Sequence, residues 1–91
     1  MFLSGLKVKN TYYIYLTAYN ARDPYGSRKK TLYKFGRLDE AVLKMYYWRD
    51  NFSNFPYVLV ELGCTEDDLR EWINTLETGI TKTGRKFSAV V

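Results

Sequence analysis

The spacing of apolar residues changes once along this chain, near residue 37, and this change restricts the fold more than any other feature. Residues 11–20, TYYIYLTAYN, alternate with period two, which is typical of a half-buried β-strand. From Leu38 onward the apolar residues recur at helical spacing. They are Leu38, Ala41, Val42, Met45, Trp48 and Phe52. The pattern predicts strands followed by helices, which is an α+β arrangement.

Period two divides the strand over 11–20 into two faces. The face predicted to meet the core carries Tyr12, Ile14, Leu16 and Ala18. The other face is rich in tyrosine and carries Tyr13, Tyr15, Thr17 and Tyr19. Residues 2–9 predict a short first strand. The turn-forming residues NARDPYGS (20–27) predict a hairpin loop. RKKTLYKF (28–35) predicts a returning strand of undefined register, which Gly36 ends.

The second half of the chain predicts two helices. The first spans 38–52 and is followed by a break at 53–56. The second spans 65–78, with Thr65 as N-cap and Asp68 as its capping-box partner. Its apolar face consists of Leu69, Trp72, Ile73 and Leu76, and Gly79 is a suitable C-cap. Residues 57–62 fit either a short strand or a buried helical turn. The tail predicts a turn at 83–84 and a short strand over 87–91.

We therefore expect an α+β fold: a small antiparallel two- or three-stranded sheet braced by one helix, plus a second C-terminal helix. With 91 residues, the chain is expected to form a single domain, 1–91. Charge divides it into three parts. A basic β-rich part (1–37) has a balance of +7, an acidic helical part (38–78) has −6, and a basic tail (79–91) has +3.

The residue types available argue against catalysis. The sequence contains no histidine, and its one cysteine, Cys64, has no histidine partner to activate it. The acids Glu66, Asp67 and Asp68 stand where a helix dipole favours negative charge. We expect no enzyme activity, no catalytic residues, no metal site, no cofactor and no small-molecule substrate. A single cysteine, no long apolar segment and no signal-peptide pattern predict a cytoplasmic protein without a membrane partner.

The basic, tyrosine-rich first third predicts contact with nucleic acid, because cationic side chains bind phosphates and aromatic rings stack on bases. The candidate nucleic-acid-binding residues are Arg22, Arg28, Lys29, Lys30, Lys34, Tyr13, Tyr15 and Tyr19. The competing interpretation is structural. In it, the tyrosines pack under a helix and the basic residues only keep the surface solvated.

Residues 12–51 resemble a family of small DNA-binding modules. The pattern is a basic strand, Arg28-Lys29-Lys30-Thr31-Leu32-Tyr33-Lys34-Phe35, followed by the helix start Leu38-Asp39-Glu40-Ala41. This is similar to AP2-type domains and to the arm-type DNA-binding domains of tyrosine recombinases, modules that phage genomes also use. The resemblance implies that the sheet contacts DNA through Arg22, Arg28, Lys30 and the outer tyrosines. It also implies that the helix braces the back of the sheet.

A different class of function fits the same composition. Small phage proteins that inhibit a host nucleic-acid-processing protein, including anti-CRISPR and other anti-defence proteins, have this size and this lack of catalytic motifs. Tyrosine is enriched in protein-protein hot spots, and acidic helices can mimic nucleic acid. For this alternative, the candidate partner-binding residues are Tyr46, Tyr47, Glu66, Asp67 and Glu71.

Overall fold

The structure is a computed structural model that describes residues 1–19, 29–81 and 83–87. The strands β1 (Phe2–Val8), β2 (Thr11–Tyr19) and β3 (Lys29–Arg37) form an antiparallel sheet with β2 in the centre. The helices α1 (Leu38–Asp50), α2 (Tyr57–Glu61) and α3 (Glu66–Thr78) follow, with a 3₁₀ turn over Phe52–Asn54. The predicted α+β fold is confirmed, and the sheet has three strands.

A tight hairpin joins β1 to β2. Val8 pairs with Thr11, so only Lys9 and Asn10 form the turn. Both turn residues have positive φ, 49° and 66°, as the two-residue turns that match strand twist require. The short first strand predicted over 2–9 is therefore confirmed as 2–8.

Strand β3 is longer than predicted and is irregular. The prediction that Gly36 ends the strand is wrong, because β3 continues to Arg37 and Gly36 itself pairs with Ile14. Two shifts of register occur between β2 and β3, each leaving one extra residue, Leu32 or Phe35, on β3. Gly36 has a φ of 96°, a conformation that glycine adopts without the strain of a Cβ atom.

The core lies between one face of the sheet and the helices. Ile14 and Leu16 of β2 and Phe35 of β3 are fully buried there. Helix α1 packs against β2 and β3, and α3 packs against α1. The helical residues of this core are Ala41, Val42, Met45, Trp48, Leu59, Leu69, Trp72, Ile73 and Leu76. All four residues of the predicted apolar face of the second helix belong to this cluster.

The local signals of the second half are mostly confirmed. Thr65 and Asp68 form the predicted capping box on α3, and Gly79 ends the helix in the left-handed conformation. Residues 57–61 are helical, which decides between the two predicted alternatives. The predicted helix over 38–52 is shorter, because α1 ends at Asp50 and a 3₁₀ turn replaces its last residues.

The tail folds back after α3. The Gly84 amide donates to the Thr81 carbonyl at 2.9 Å, which closes the predicted turn. The Phe87 amide donates to the Gly79 carbonyl at 2.7 Å, and the Phe87 side chain packs against the core. The rest of the predicted strand over 87–91, and the predicted hairpin loop over 20–27, lie outside the described residues.

Candidate nucleic-acid interface

The two faces of the sheet differ. Ile14 and Leu16 meet the helices, so the alternate residues of β2 point away from them. Paired residues of antiparallel strands share a face, so the register extends this second face across the sheet. We call it the tyrosine face. It consists of Phe2, Ser4, Leu6 and Val8 on β1, Thr11, Tyr13, Tyr15, Thr17 and Tyr19 on β2, and Thr31, Lys34 and Arg37 on β3.

The register places a basic residue beside each tyrosine of this face. Tyr13 pairs with Arg37, and Tyr15 pairs with Lys34. At the end of the strand, Tyr19 pairs with Lys29. Tyr13 and Tyr15 are half-buried, whereas Tyr19 is 62% exposed. Tyr13 and Tyr15 of β2 therefore lie beside two exposed basic residues of β3, Arg37 and Lys34.

The opposite edge of the tyrosine face is apolar. Leu6 and Val8 of β1 are 54% and 44% exposed. The rings of Phe2 and Tyr19 pack with centroids 5.2 Å apart. Lys7 pairs with Tyr12 and so lies on the other face, where its Nζ atom is 5.7 Å from the centroid of the Tyr12 ring. On the tyrosine face, β1 therefore contributes no charged residue.

Between these edges the face contains one buried polar contact. Thr17 is buried, and its hydroxyl forms a 2.6 Å hydrogen bond with the Ser4 hydroxyl. This contact links β1 to β2 by their side chains as well as by their backbones. It satisfies the buried hydroxyl, whose burial without a partner would be unfavourable.

Charge is divided between the two layers of the fold. The three strands contain five basic residues and no acidic residue. The helices α1, α2 and α3 contain nine acidic residues and three basic ones. Asp39 forms an ion pair with Arg37 of the tyrosine face, with 3.5 Å between its carboxylate oxygen and a guanidinium nitrogen. Both side chains are mostly exposed, so this ion pair is weak and Arg37 can exchange it for another anion.

The predicted nucleic-acid-binding residues fall into three groups. Tyr13, Tyr15, Tyr19 and Lys34 lie on the tyrosine face. Lys30 is exposed but pairs with Ala18, which places it on the face that carries Ile14 and Leu16. Arg22, Arg28 and the side chain of Lys29 lie outside what the structure describes.

Sequence reasoning missed Arg37 and the apolar residues of β1. Arg37 was overlooked because the strand was expected to end at Gly36, and only the bulged register brings Arg37 beside Tyr13. Leu6 and Val8 alternate with Lys7 and Lys9. This alternation was the available signal for a face with apolar residues on one side and basic residues on the other.

The residues predicted to bind a protein partner are spread over α1 and α3, and most have contacts within the chain. Partial burial raises the pKa of the Tyr46 hydroxyl, as do its hydrogen bond to Glu77 and the charge of Glu77, although nearby Arg49 lowers it. Tyr47 is exposed, and its hydroxyl accepts a 3.2 Å hydrogen bond from Asn54.

The acidic candidates are partly neutralised. Glu66 and Asp67 each lie 3.8 Å from a guanidinium nitrogen of Arg70. Glu71 is half-buried and lines a groove of about 580 Å³ between the start of β1 and α3. Glu66 and Asp67 at the start of α3 thus have a counter-charge of their own, Arg70.

Burial raises the pKa of the Cys64 thiol, and the charge of Asp68 raises it further, so the thiol stays protonated at neutral pH. Within the described residues, no three potential metal-ligating side chains of His, Cys, Asp or Glu come together. No helix of residues 1–19, 29–81 or 83–87 is long and apolar enough to span a bilayer.

Comparison of the chain with known protein families, with characterised proteins and with solved structures finds no match. The chemistry of the chain's own surface is therefore the basis on which a function is proposed.

Proposed function

We propose that this chain is a small non-enzymatic DNA-binding protein that docks its tyrosine face on nucleic acid. The observation that carries the proposal is the register of β2 and β3, which sets the exposed basic residues Arg37 and Lys34 beside Tyr13 and Tyr15. Cationic side chains bind the phosphates of a nucleic acid, and aromatic rings stack on its bases.

The position of the helices supports this proposal. Sheets contact nucleic acid either within a groove of a duplex or by stacking unpaired bases on aromatic side chains. Both modes require a sheet face that is free of helices. The described helices pack on the Ile14 side, and neither Tyr13 nor Tyr15 belongs to the core that they form.

The division of charge supports it too. The strands carry basic residues and no acidic one, whereas the helices behind them carry nine acidic residues and three basic ones. Such a protein approaches a polyanion with the sheet first and turns its acidic side away. The order of β2, β3 and α1, with the helix behind the sheet, also agrees with the arrangement implied by the resemblance to AP2-type and arm-type modules.

We expect weak, salt-dependent binding of DNA. Non-specific affinities of such proteins are on the order of 10⁻⁴–10⁻⁶ M at physiological salt, and they rise as salt is removed because counterions are released. Fluorescence anisotropy with a labelled duplex at several salt concentrations measures both quantities. A protein that binds no DNA of any form at low salt would contradict the proposal.

The double variant Lys34→Ala/Arg37→Ala tests which cations are involved. It should weaken binding and reduce the slope of log affinity against log salt by about two, roughly one for each phosphate that the protein no longer neutralises. The matched control is Arg49→Ala/Arg70→Ala, which removes the same charge from the helices. An equal effect of both variants would show that net charge, and not the tyrosine face, determines binding.

A protein partner is the second candidate. The observation that favours it is the exposed apolar surface of α2, where Tyr57 is 73% exposed and Val58 and Val60 are about half exposed. In this alternative the chain is a phage-type inhibitor of a host nucleic-acid-processing protein. Affinity capture with and without nuclease distinguishes the two functions. A protein retained after nuclease, and absent with Tyr57→Ala/Val60→Ser, would favour the inhibitor.

A further inference from the structure

We infer that the preferred ligand of the tyrosine face is single-stranded DNA, with its backbone along β3 and its bases on the tyrosines of β2. This inference depends on the proposed DNA-binding function and makes it more specific. It comes from the unequal chemistry of the two edges of the face.

Among the described side chains of the tyrosine face, positive charge lies along the β3 edge. Lys34 and Arg37 on β3 are exposed on the tyrosine face. At the other edge, β1 presents Leu6 and Val8, while Lys7 is directed to the opposite face. A protein element in the major groove of a duplex has a phosphate backbone on each side, about 12 Å apart. A three-stranded sheet spans roughly 10 Å between its outer strands. A sheet of this width that binds in the major groove would therefore carry cations at both edges. A single basic edge instead fits a ligand with one phosphate backbone, which is single-stranded DNA.

The apolar edge suits unpaired bases. A base that extends from a backbone on β3 crosses β2 and reaches β1. It meets the ring of Tyr13 or Tyr15 first, and then the side chain of Leu6 or Ser4, their partners on β1. In a duplex these base faces are stacked within the helix and unavailable, whereas in a single strand they are free to stack on the protein.

The spacing of the rings fits successive bases. Tyr13 and Tyr15 are alternate residues of one strand, so they lie about 7 Å apart along the sheet. Neighbouring bases of an extended single strand can each contact one ring. Next along the face is Thr17, which is buried and hydrogen-bonded to Ser4. The pair formed by Phe2 and Tyr19 then follows and provides a further aromatic surface.

The test compares a labelled oligothymidine of twelve nucleotides with a duplex of twelve base pairs, at the same low salt. We expect the single strand to bind at least about tenfold more tightly, since one stacked base alone contributes about 5- to 150-fold in affinity. The variant Tyr13→Ala/Tyr15→Ala should lose this preference. Tyr13→Phe/Tyr15→Phe should keep it, because phenylalanine retains the ring.

Two controls keep the test interpretable. Tyr47→Ala/Tyr57→Ala removes two exposed tyrosines from the helical side and should leave single-strand affinity unchanged. Melting temperature and circular dichroism identify an alanine variant that has unfolded. In that case the test is Tyr13→Phe/Tyr15→Phe, which should bind the single strand more tightly than the duplex, as the unaltered protein does. A duplex bound as tightly as the single strand would overturn the inference and leave the proposed function standing. Absence of binding to both would overturn both.

Discussion

Replacing Trp72 with alanine lowers the free energy of unfolding by about 3–5 kcal/mol, the usual loss when a large aromatic side chain is removed from a core. Trp72 is 8% exposed, and its ring centroid lies 5.4 Å from that of Phe35 and 6.3 Å from that of Phe55. Total stabilities of small domains are about 5–15 kcal/mol, so this one change removes a large part of the stability. Urea unfolding followed by circular dichroism measures the loss.

Tyr47→Ala is the control for Trp72→Ala. Tyr47 is 54% exposed and contributes one side-chain hydrogen bond, to Asn54. Its removal should cost about 1 kcal/mol or less, as for other exposed positions. Equal losses at Trp72 and Tyr47 would mean that both sides of α1 are buried, contrary to the described packing.

Phe35→Ala should destabilise the protein by a similar amount, about 3–5 kcal/mol. Phe35 is fully buried at the second register shift of β3, and its ring centroid is 6.3 Å from that of Trp48. Its ring packs against Trp48 of α1 and Trp72 of α3, so it joins the sheet to both helices. Phe35→Leu should cost less, because leucine fills part of the space that the ring leaves.

A double-mutant cycle tests the contact between these two rings. Because Phe35 and Trp72 touch, the loss in Phe35→Ala/Trp72→Ala should differ from the combined single losses by about 0.5–3 kcal/mol. Strictly additive losses would contradict the described contact between β3 and α3.

The features that the sequence predicts correctly depend on short-range physics. The capping box of Thr65 and Asp68 spans three residues, and the apolar face of α3 repeats every turn. The tyrosines of β2 follow from period two alone. In each case the signal lies within a few consecutive residues, and the tertiary structure does not override it.

The features that cannot be predicted from the sequence depend on contacts between segments that are distant in the chain. The two register shifts of β3 arise from its pairing with β2, so the face of Lys34 or Lys30 cannot be read from β3 alone. Residues 57–61 are too few to show a period. The alternation within β1 indicates an apolar face, but its place at the edge of the candidate site requires the pairing of β1 with β2.

These differences bear directly on the site. The sequence predicts a basic and aromatic ribbon, and it includes Lys30 among the binding residues. The register assigns Lys30 and Lys34 to opposite faces and adds Arg37 to the tyrosine face. Lys34 and Arg37 are therefore the first residues to replace in a binding experiment. Lys30→Ala is the comparison, because it removes a cation from the opposite face of the same strand.

The most direct test of the central claim, that the tyrosine face binds DNA, is an amide-resolved NMR titration with the oligothymidine. We expect the largest shifts on β2 and β3, around Tyr13, Tyr15 and Lys34, with smaller shifts on β1. We expect little change on α1 and α3, which lie behind the sheet. Shifts centred on the helices, with the three strands unchanged, would contradict binding by the tyrosine face.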